Sequence, residues 1–218
     1  MLRKRYREAL DNLKKDVIKM GKSTIDSLKD SVQSLEEKNV KLSDKVLKNN
    51  ARIDEMELDL ENRCMQLIAL QQPVGDELRF IGTTLKIIGN FDRISDLAGN
   101  IAKINKETVD KPHVKPLIDI PRMSGTAQRM IQCIITAYEK EILGDCIGEL
   151  SKEDDLVDGL FEQVYRELIT MMIEDPKIIS DATSLLLVAR YLERIADNAC
   201  AIGGRIVYMI TGKRVKIS

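Results

Sequence analysis

Residues 85–104 read LKIIGNFDRISDLAGNIAKI, and residues 186–205 read LLVARYLERIADNACAIGGR. Placed side by side, the two stretches share six identities, at Leu85/Leu186, Arg93/Arg194, Ile94/Ile195, Asp96/Asp197, Ala98/Ala199 and Ile101/Ile202. Asp92 falls opposite Glu193 in this alignment, so a carboxylate is kept at that position as well. A long self-similarity of this kind indicates a duplicated supersecondary unit. We therefore expect the chain to consist of two equivalent halves.

The repeated stretch has the periodicity of a long amphipathic helix. Mainly apolar residues recur at alternating steps of four and three, at Phe80, Thr84, Ile87, Phe91, Ile94, Ala98 and Ile101. The rest of each half keeps the same rhythm, with turns expected near Asn39 and Gly144. Such a stripe indicates a helix that packs against a bundle core. The sequence predicts an all-α protein made of two tandem three-helix bundles with long antiparallel helices.

Prolines mark the boundary between the halves. Three of the five prolines fall in one short segment together with the only histidine: Pro112, His113, Pro116 and Pro121. Proline clusters of this kind are typical of connecting segments. The predicted organisation is a first three-helix repeat over residues 1–104, a linker over 105–121 and a second repeat over 122–218.

Composition excludes several classes of protein. The 34 basic residues nearly cancel the 35 acidic ones, and a net charge of -1 does not suit a nucleic-acid-binding protein. No stretch approaches the roughly 20 apolar residues of a membrane span, and the start of the chain lacks the apolar region of a secretory signal. We expect a cytoplasmic protein without a membrane span. Its four cysteines, Cys64, Cys133, Cys146 and Cys200, are then expected to be reduced core thiols.

Acidic residues one helical turn apart are the main chemical signal. The third helix of each half has such a pair, Asp92 with Asp96 and Glu193 with Asp197. The second helix of the second half has Asp154 with Asp158, and the first half has Asn50 with Asp54 in the corresponding place. Two antiparallel helices that each present such a pair form an oxygen-rich pocket suited to a hard cation. Acidic pairs are also common on the solvated faces of a chain with 32% charged residues. Their recurrence at equivalent positions of both halves favours metal or ligand binding.

The scarcity of histidine argues against two classes of enzyme. Ferritin-like di-iron enzymes use Glu-x-x-His pairs, and serine or cysteine hydrolases use a histidine base, so one histidine in the linker suits neither class.

Gly82, Gly89 and Gly99 lie inside the predicted third helix, where each costs about 1 kcal/mol relative to alanine. They indicate a close approach of a ligand or another backbone along the acidic side, or a crowded helix crossing.

At these residues the chain resembles the PhoU family of phosphate-transport accessory proteins. The segments that resemble its paired ERIGD signatures are Phe91-Asp92-Arg93-Ile94-Ser95-Asp96 and Tyr191-Leu192-Glu193-Arg194-Ile195-Ala196-Asp197. Pro73 with the following Asp76-Glu77-Leu78-Arg79 is similar to the family's entry to the same helix. Residues 204–212 resemble its usual last helix end. The resemblance covers essentially the whole chain, including the duplication.

The resemblance implies a function as well as a fold. PhoU proteins are non-enzymatic cytoplasmic regulators, often dimeric, that restrain phosphate uptake and signalling. Their implied partners are the ATPase of the phosphate ABC transporter and a phosphate-sensing histidine kinase. Their implied metal is multinuclear iron or another oxygen-liganded cation such as Mn, Mg or Zn.

Carried over to this sequence, the resemblance implies two metal sites. One comprises Asp154, Asp158, Glu193 and Asp197, and the other Asn50, Asp54, Asp92 and Asp96. Because Asn50 stands where the family pattern has a carboxylate, we expect weaker binding at its site. The alternatives are a carboxylate-bridged metal hydrolase or phosphatase on the same helices, and a scaffold without metal.

Overall fold

Six long helices make up the computed structural model, which describes residues 2–217, apart from the side chains of Leu2, Arg3 and Cys146. They are α1 (Leu2–Glu37), α2 (Val40–Gln71), α3 (Gly75–Thr108), α4 (Asp119–Lys140), α5 (Asp145–Glu174) and α6 (Ile179–Thr211), with a short 3-10 helix at Pro176–Ile178. No strand occurs within the described residues. The predicted all-α architecture is confirmed.

Short polar turns separate the helices of each half. The side chain of Asn39 accepts a hydrogen bond from the backbone N–H of Leu42 and so caps α2, as expected for an N-terminal asparagine. Gly144 precedes α5, and Asp175 caps the 3-10 helix by accepting from the N–H of Lys177. The turns predicted near Asn39 and Gly144 are both present. Because the connections are short, consecutive helices run antiparallel.

The two three-helix units pack side by side around one continuous core. Helices α1, α2 and α3 contact one another, as do α4, α5 and α6, and the units meet where α3 packs on α6 and α1 on α4. The predicted stripes are buried in this core, with Ile94 and Ile101 of α3 and Ile195 and Ile202 of α6 fully inaccessible. Helices α2 and α5 therefore lie on the outside, each against its own half.

The connection between the halves is shorter than the predicted linker. Helix α3 continues to Thr108 and α4 begins at Asp119, which leaves residues 109–118 as the non-helical segment. Pro121 lies within the first turn of α4, where a proline removes no intrahelical hydrogen bond. His113 is tied to α1 by a contact of 3.1 Å between its Nε2 and the carbonyl oxygen of Leu35. The only histidine is thus a structural residue of the connection.

The cysteines differ from expectation at one position. Cys64 and Cys200 are buried free thiols, as predicted. Cys133 is disulfide-bonded, so the prediction of a reduced thiol there was wrong. The side chain of Cys146 lies outside the described residues. The spacing of the cysteines along the chain did not predict this disulfide, because its formation depends on how α4 lies against neighbouring segments in the folded chain.

None of the described helices combines the length and apolarity that crossing a membrane requires.

Candidate metal centres

The first acidic cluster lies between α2 and α3. We define it as Asn50, Asp54 and Glu57 of α2 with Asp92 and Asp96 of α3. Residues three, four and seven apart share one side of a helix, and the antiparallel packing of α2 on α3 brings the two sides together. All four side chains predicted for this site are therefore neighbours in the structure.

Asn50 holds the first acidic cluster together as a hydrogen-bond donor. Its Nδ2 donates to Asp54 Oδ1 at 3.3 Å, to Asp96 Oδ1 at 3.2 Å and to Ser95 Oγ at 3.3 Å. The amide thus partly offsets the repulsion between two carboxylates on different helices. The amide nitrogen of Asn50 is therefore the group that faces the carboxylates.

Glu57 is a member of this cluster that the sequence reading missed. Burial is the main reason that its pKa is raised, and the charges of Glu61, Asp54 and Asp96 add to the shift. Its signal was present in the sequence, since Glu57 follows Asp54 by three residues on the same side of α2. Glu57 supplies the fourth carboxylate that the substitution at Asn50 had removed from the pattern.

Asp92 is the most strongly perturbed group of the cluster. Desolvation by burial is the main reason that its pKa rises from 3.8 to about 7, and hydrogen bonding to Asp54 and the charges of Glu57 and Asp96 add to it. Its Oδ1 atom is buried without a hydrogen-bond partner. In such surroundings a carboxyl group is stabilised either by protonation, which removes its charge, or by a nearby cation, which compensates that charge.

The second acidic cluster lies at the equivalent place between α5 and α6. We define it as Asp154 and Asp158 of α5 with Glu193 and Asp197 of α6. Burial, followed by the charges of Asp158 and Asp197, raises the pKa of Asp154 to about 6, and the pKa values of Asp158 and Glu193 are raised as well. Asp154 is only 6% exposed. All four residues predicted for this site are thus brought together.

An arginine forms an ion pair with the second acidic cluster. Arg190 Nη1 donates to Glu193 Oε1 at 2.6 Å, and the Arg190 guanidinium lies over the ring of Phe161 at 5.4 Å from the centroid. By the spacing of the repeat, Phe161 stands where the first half has Glu57, and Arg190 stands where it has Gly89. The first half therefore has a carboxylate and a glycine where the second half has an aromatic ring and an arginine.

The glycines of α3 fit the close-approach interpretation at two of three positions. A Cβ added at Gly99 would lie 2.9 Å from Asn50 Oδ1, and one at Gly89 would lie 3.3 Å from Glu57 Oε1. These two glycines make room for the α2 side chains of the first acidic cluster. Gly82 has open space beside it instead.

Both clusters suit a hard cation by their chemistry. Each holds four carboxylates, and three buried oxygens lack a hydrogen-bond partner: Asp92 Oδ1, Asp154 Oδ1 and Glu193 Oε2. Buried polar atoms are normally satisfied, so these point to a missing partner. Within the described part of the chain, no group of three His, Cys, Asp or Glu side chains is arranged so that it could hold a metal ion as it stands. A cation would have to draw the carboxylates of a cluster inwards.

The fold and sites define a class of duplicated six-helix proteins with an acidic cluster in each half. The PhoU domain family matches the chain twice, over residues 17–104 and 120–206. The protein belongs to the PhoU family. Each match contains one of the two acidic clusters.

Relatives and solved structures agree with this assignment. The phosphate-specific transport system accessory protein PhoU homolog of Clostridium acetobutylicum is 33% identical over 219 residues and covers both chains completely. PhoU homolog 1 of Methanothermobacter thermautotrophicus is 36% identical over 207 residues, or 94% of each chain. The crystal structure of PhoU from Pseudomonas aeruginosa superposes with a TM-score of 0.91 at 25% identity, and covers 95% of this chain and 100% of the other.

Proposed function

We propose that this protein is a regulatory accessory protein of a phosphate transport system. The observation that carries the proposal is the match to relatives named phosphate-specific transport system accessory proteins, which extends over the whole chain and both halves. The hydrolase alternative has no support from these relatives, and the clusters lie beside no histidine that could act as a base. Regulation in this proposal means that the protein restrains uptake when phosphate is plentiful.

The proposed partners are the ATPase of a phosphate ABC transporter and a phosphate-sensing histidine kinase, both met on the cytoplasmic side. The outer helices support contacts of this kind. Leu70 of α2 and Ile173 of α5 are 75% and 76% exposed, and further large apolar side chains are exposed on the same two helices. Apolar side chains of this kind mark a protein-binding surface where they lie together in one patch. Two similar outer faces also suit a homodimer.

A deletion strain tests the regulatory proposal directly. We expect phosphate uptake in phosphate-replete medium to rise when the gene is deleted and to return to normal when it is restored. Pull-down with the purified protein should recover the transporter ATPase. Uptake that is unchanged by deletion, with no ATPase recovered, would refute the proposal. Chromatography with light scattering tests the dimer separately.

The proposed cofactor is a cation at each acidic cluster, either iron in a multinuclear arrangement or another oxygen-liganded metal such as Mn, Mg or Zn. The unpartnered carboxylate oxygens support it. The expectation of a stronger second cluster depended on Asn50, and Glu57 restores the carboxylate count of the first. We therefore propose that both clusters bind.

Elemental analysis of protein purified without chelator tests the metal proposal. Replacing Asp92 and Asp96 with asparagine should remove the metal of the first cluster, and replacing Glu193 and Asp197 with their amides should remove that of the second. Glu107→Gln, an exposed change on α3 away from the clusters, is the matched control. Equal metal content in all three proteins would refute the assignment.

A further inference from the structure

A large cavity opens between the two halves, beside the second acidic cluster. Its volume is about 830 Å³, and α3, α6 and the segment after α6 form most of its walls, with one residue from α5. Asp154 and Asp197 form part of one wall, whereas the other members of the acidic clusters do not line it. The cavity is therefore distinct from both acidic clusters, although two residues of the second acidic cluster line it.

The cavity is strongly basic although the chain as a whole is nearly neutral. Five cationic side chains line it: Arg79, Lys86, Arg205, Arg214 and Lys216. Against its two carboxylates they leave an excess of three positive charges, whereas the whole chain carries -1. Within the described residues, only Arg79 of the five has an ion-pair partner, Asp76. Cations from three chain segments that converge, most of them outside any ion pair, are typical of an anion site.

Buried polar atoms in the wall also lack a partner. Thr83 is 4% exposed, lines the cavity and has no hydrogen-bond partner for its Oγ1 atom. The Nε atom of Arg79 is buried without a partner as well. A hydroxyl and a guanidinium N–H left unpaired in one wall are donors suited to a ligand oxygen.

The segment after α6 is held in place as a wall of the cavity. The chain turns at Gly212, whose φ of 73° is left-handed, and runs back along α6. A Cβ added at Gly204 would lie 2.9 Å from the carbonyl oxygen of Val215, so this glycine admits the returning backbone. Arg214 is further positioned by its stacking over Tyr208, 5.7 Å from the ring centroid. Arg214 and Lys216 thereby face the same space as the basic residues of the helices.

We propose that this cavity binds a polyphosphate-bearing anion, taken from a nucleotide or from an inorganic polyphosphate. Its volume lies in the range of pockets for drug-sized ligands and far exceeds the room that one phosphate group needs. Five spread cations also match several phosphoryl groups better than one. Apolar side chains of the wall, Leu78, Ala201, Val215 and Ile217, would lie against an organic part of the ligand. The cavity would bind such an anion whether or not the protein acts on a transporter.

Calorimetric titration of the full chain in the presence of a chelator tests the proposal, with ATP, tripolyphosphate and orthophosphate as probes. We expect ATP or tripolyphosphate to bind, and each of the variants Lys86→Gln and Arg205→Gln to bind about tenfold more weakly, since charge-assisted hydrogen bonds are lost. Lys103→Gln is the matched control, because Lys103 is also exposed on α3 but does not line the cavity. Thr83→Val removes only the unpartnered hydroxyl, and should weaken binding without lowering the melting temperature.

The outcomes separate the sources of the ligand. ATP binding that is tighter than tripolyphosphate binding assigns a nucleotide, and equal affinities assign an inorganic polyphosphate. Absence of binding by both probes would overturn the proposal, as would affinities that are the same in the Lys86, Arg205 and Lys103 variants. Orthophosphate binding as tightly as ATP would overturn the argument from size.

Discussion

Replacement of Asp92 by asparagine should stabilise the metal-free protein at neutral and alkaline pH. Burial raises the pKa of Asp92 from 3.8 to about 7. Between these two pH values, the folded chain therefore keeps a proton on Asp92 that the unfolded chain has released. The free energy of unfolding then falls as the pH rises through this interval, and the whole loss persists at higher pH. Asparagine has the shape of the protonated acid and carries no charge. Like that acid, it can donate to Asp54.

The size of the effect follows from the shift. At about 1.4 kcal/mol per pKa unit, the change from 3.8 to about 7 sets a ceiling of about 4 kcal/mol. Asp92 is only half-buried, so solvent screening reduces this to about 1–2 kcal/mol. For a chain of this length, that corresponds to a rise in melting temperature of about 2–8 °C.

Thermal unfolding of chelator-treated protein measures the effect. Asp92→Asn should melt higher than the wild type at about pH 8 and nearly alike at about pH 3.5, where the acid is mainly protonated in both states. The exposed Glu107→Gln on the same helix should show no such pH-dependent difference. Added Mn²⁺ should raise the melting temperature of the wild type more than that of Asp92→Asn. A variant that is no more stable than the wild type at about pH 8 would refute the reasoning about Asp92.

Three other changes address the second cluster, the helix packing and the last segment. Arg190→Gln frees Glu193 from its ion pair and should strengthen Mn²⁺ binding about two- to fivefold in a calorimetric titration; unchanged affinity would contradict competition by this partly exposed cation. Thr84→Val leaves the buried Tyr138 hydroxyl without its 2.8 Å partner and should cost about 1–3 kcal/mol in denaturant unfolding, an effect that a Thr108→Val control should not share. Gly204→Ala pushes against the Val215 carbonyl and should lower stability by about 1–3 kcal/mol or expose residues 213–217 to proteases; an unaltered protein would mean that this segment is not packed as described.

The fold and the acidic pairs were predictable because both arise from helical periodicity. A stripe such as Ile94 with Ile101 shows which side of α3 is buried, and a turn-spaced pair such as Asp92 with Asp96 shows which residues share the opposite flank. The repeat then indicated which pairs belong to equivalent helices. These properties depend on neighbours along one helix, so a single sequence contains them.

Features that depend on the meeting of separate helices could not be predicted in the same way. The donor role of Asn50 depends on how closely α2 approaches Ser95 and Asp96. The basic cavity draws on side chains as far apart in sequence as Arg79 and Lys216, and neither belongs to a motif. The end of α3 at Thr108 was missed because the self-similar stretch stops at Ile104, four residues earlier.

The second acidic cluster and the basic cavity share two residues, and this links their chemistry. Asp154 and Asp197 belong to the cluster and also line the cavity. When the cluster holds no cation, the negative charges of these two carboxylates repel an anion in the cavity. This repulsion offsets part of the attraction that the five cations exert on the anion. A cation held by the cluster would cancel that repulsion, so each ligand would raise the affinity of the other by the same factor. No residue of the first cluster lines this cavity, so the coupling would belong to the second cluster.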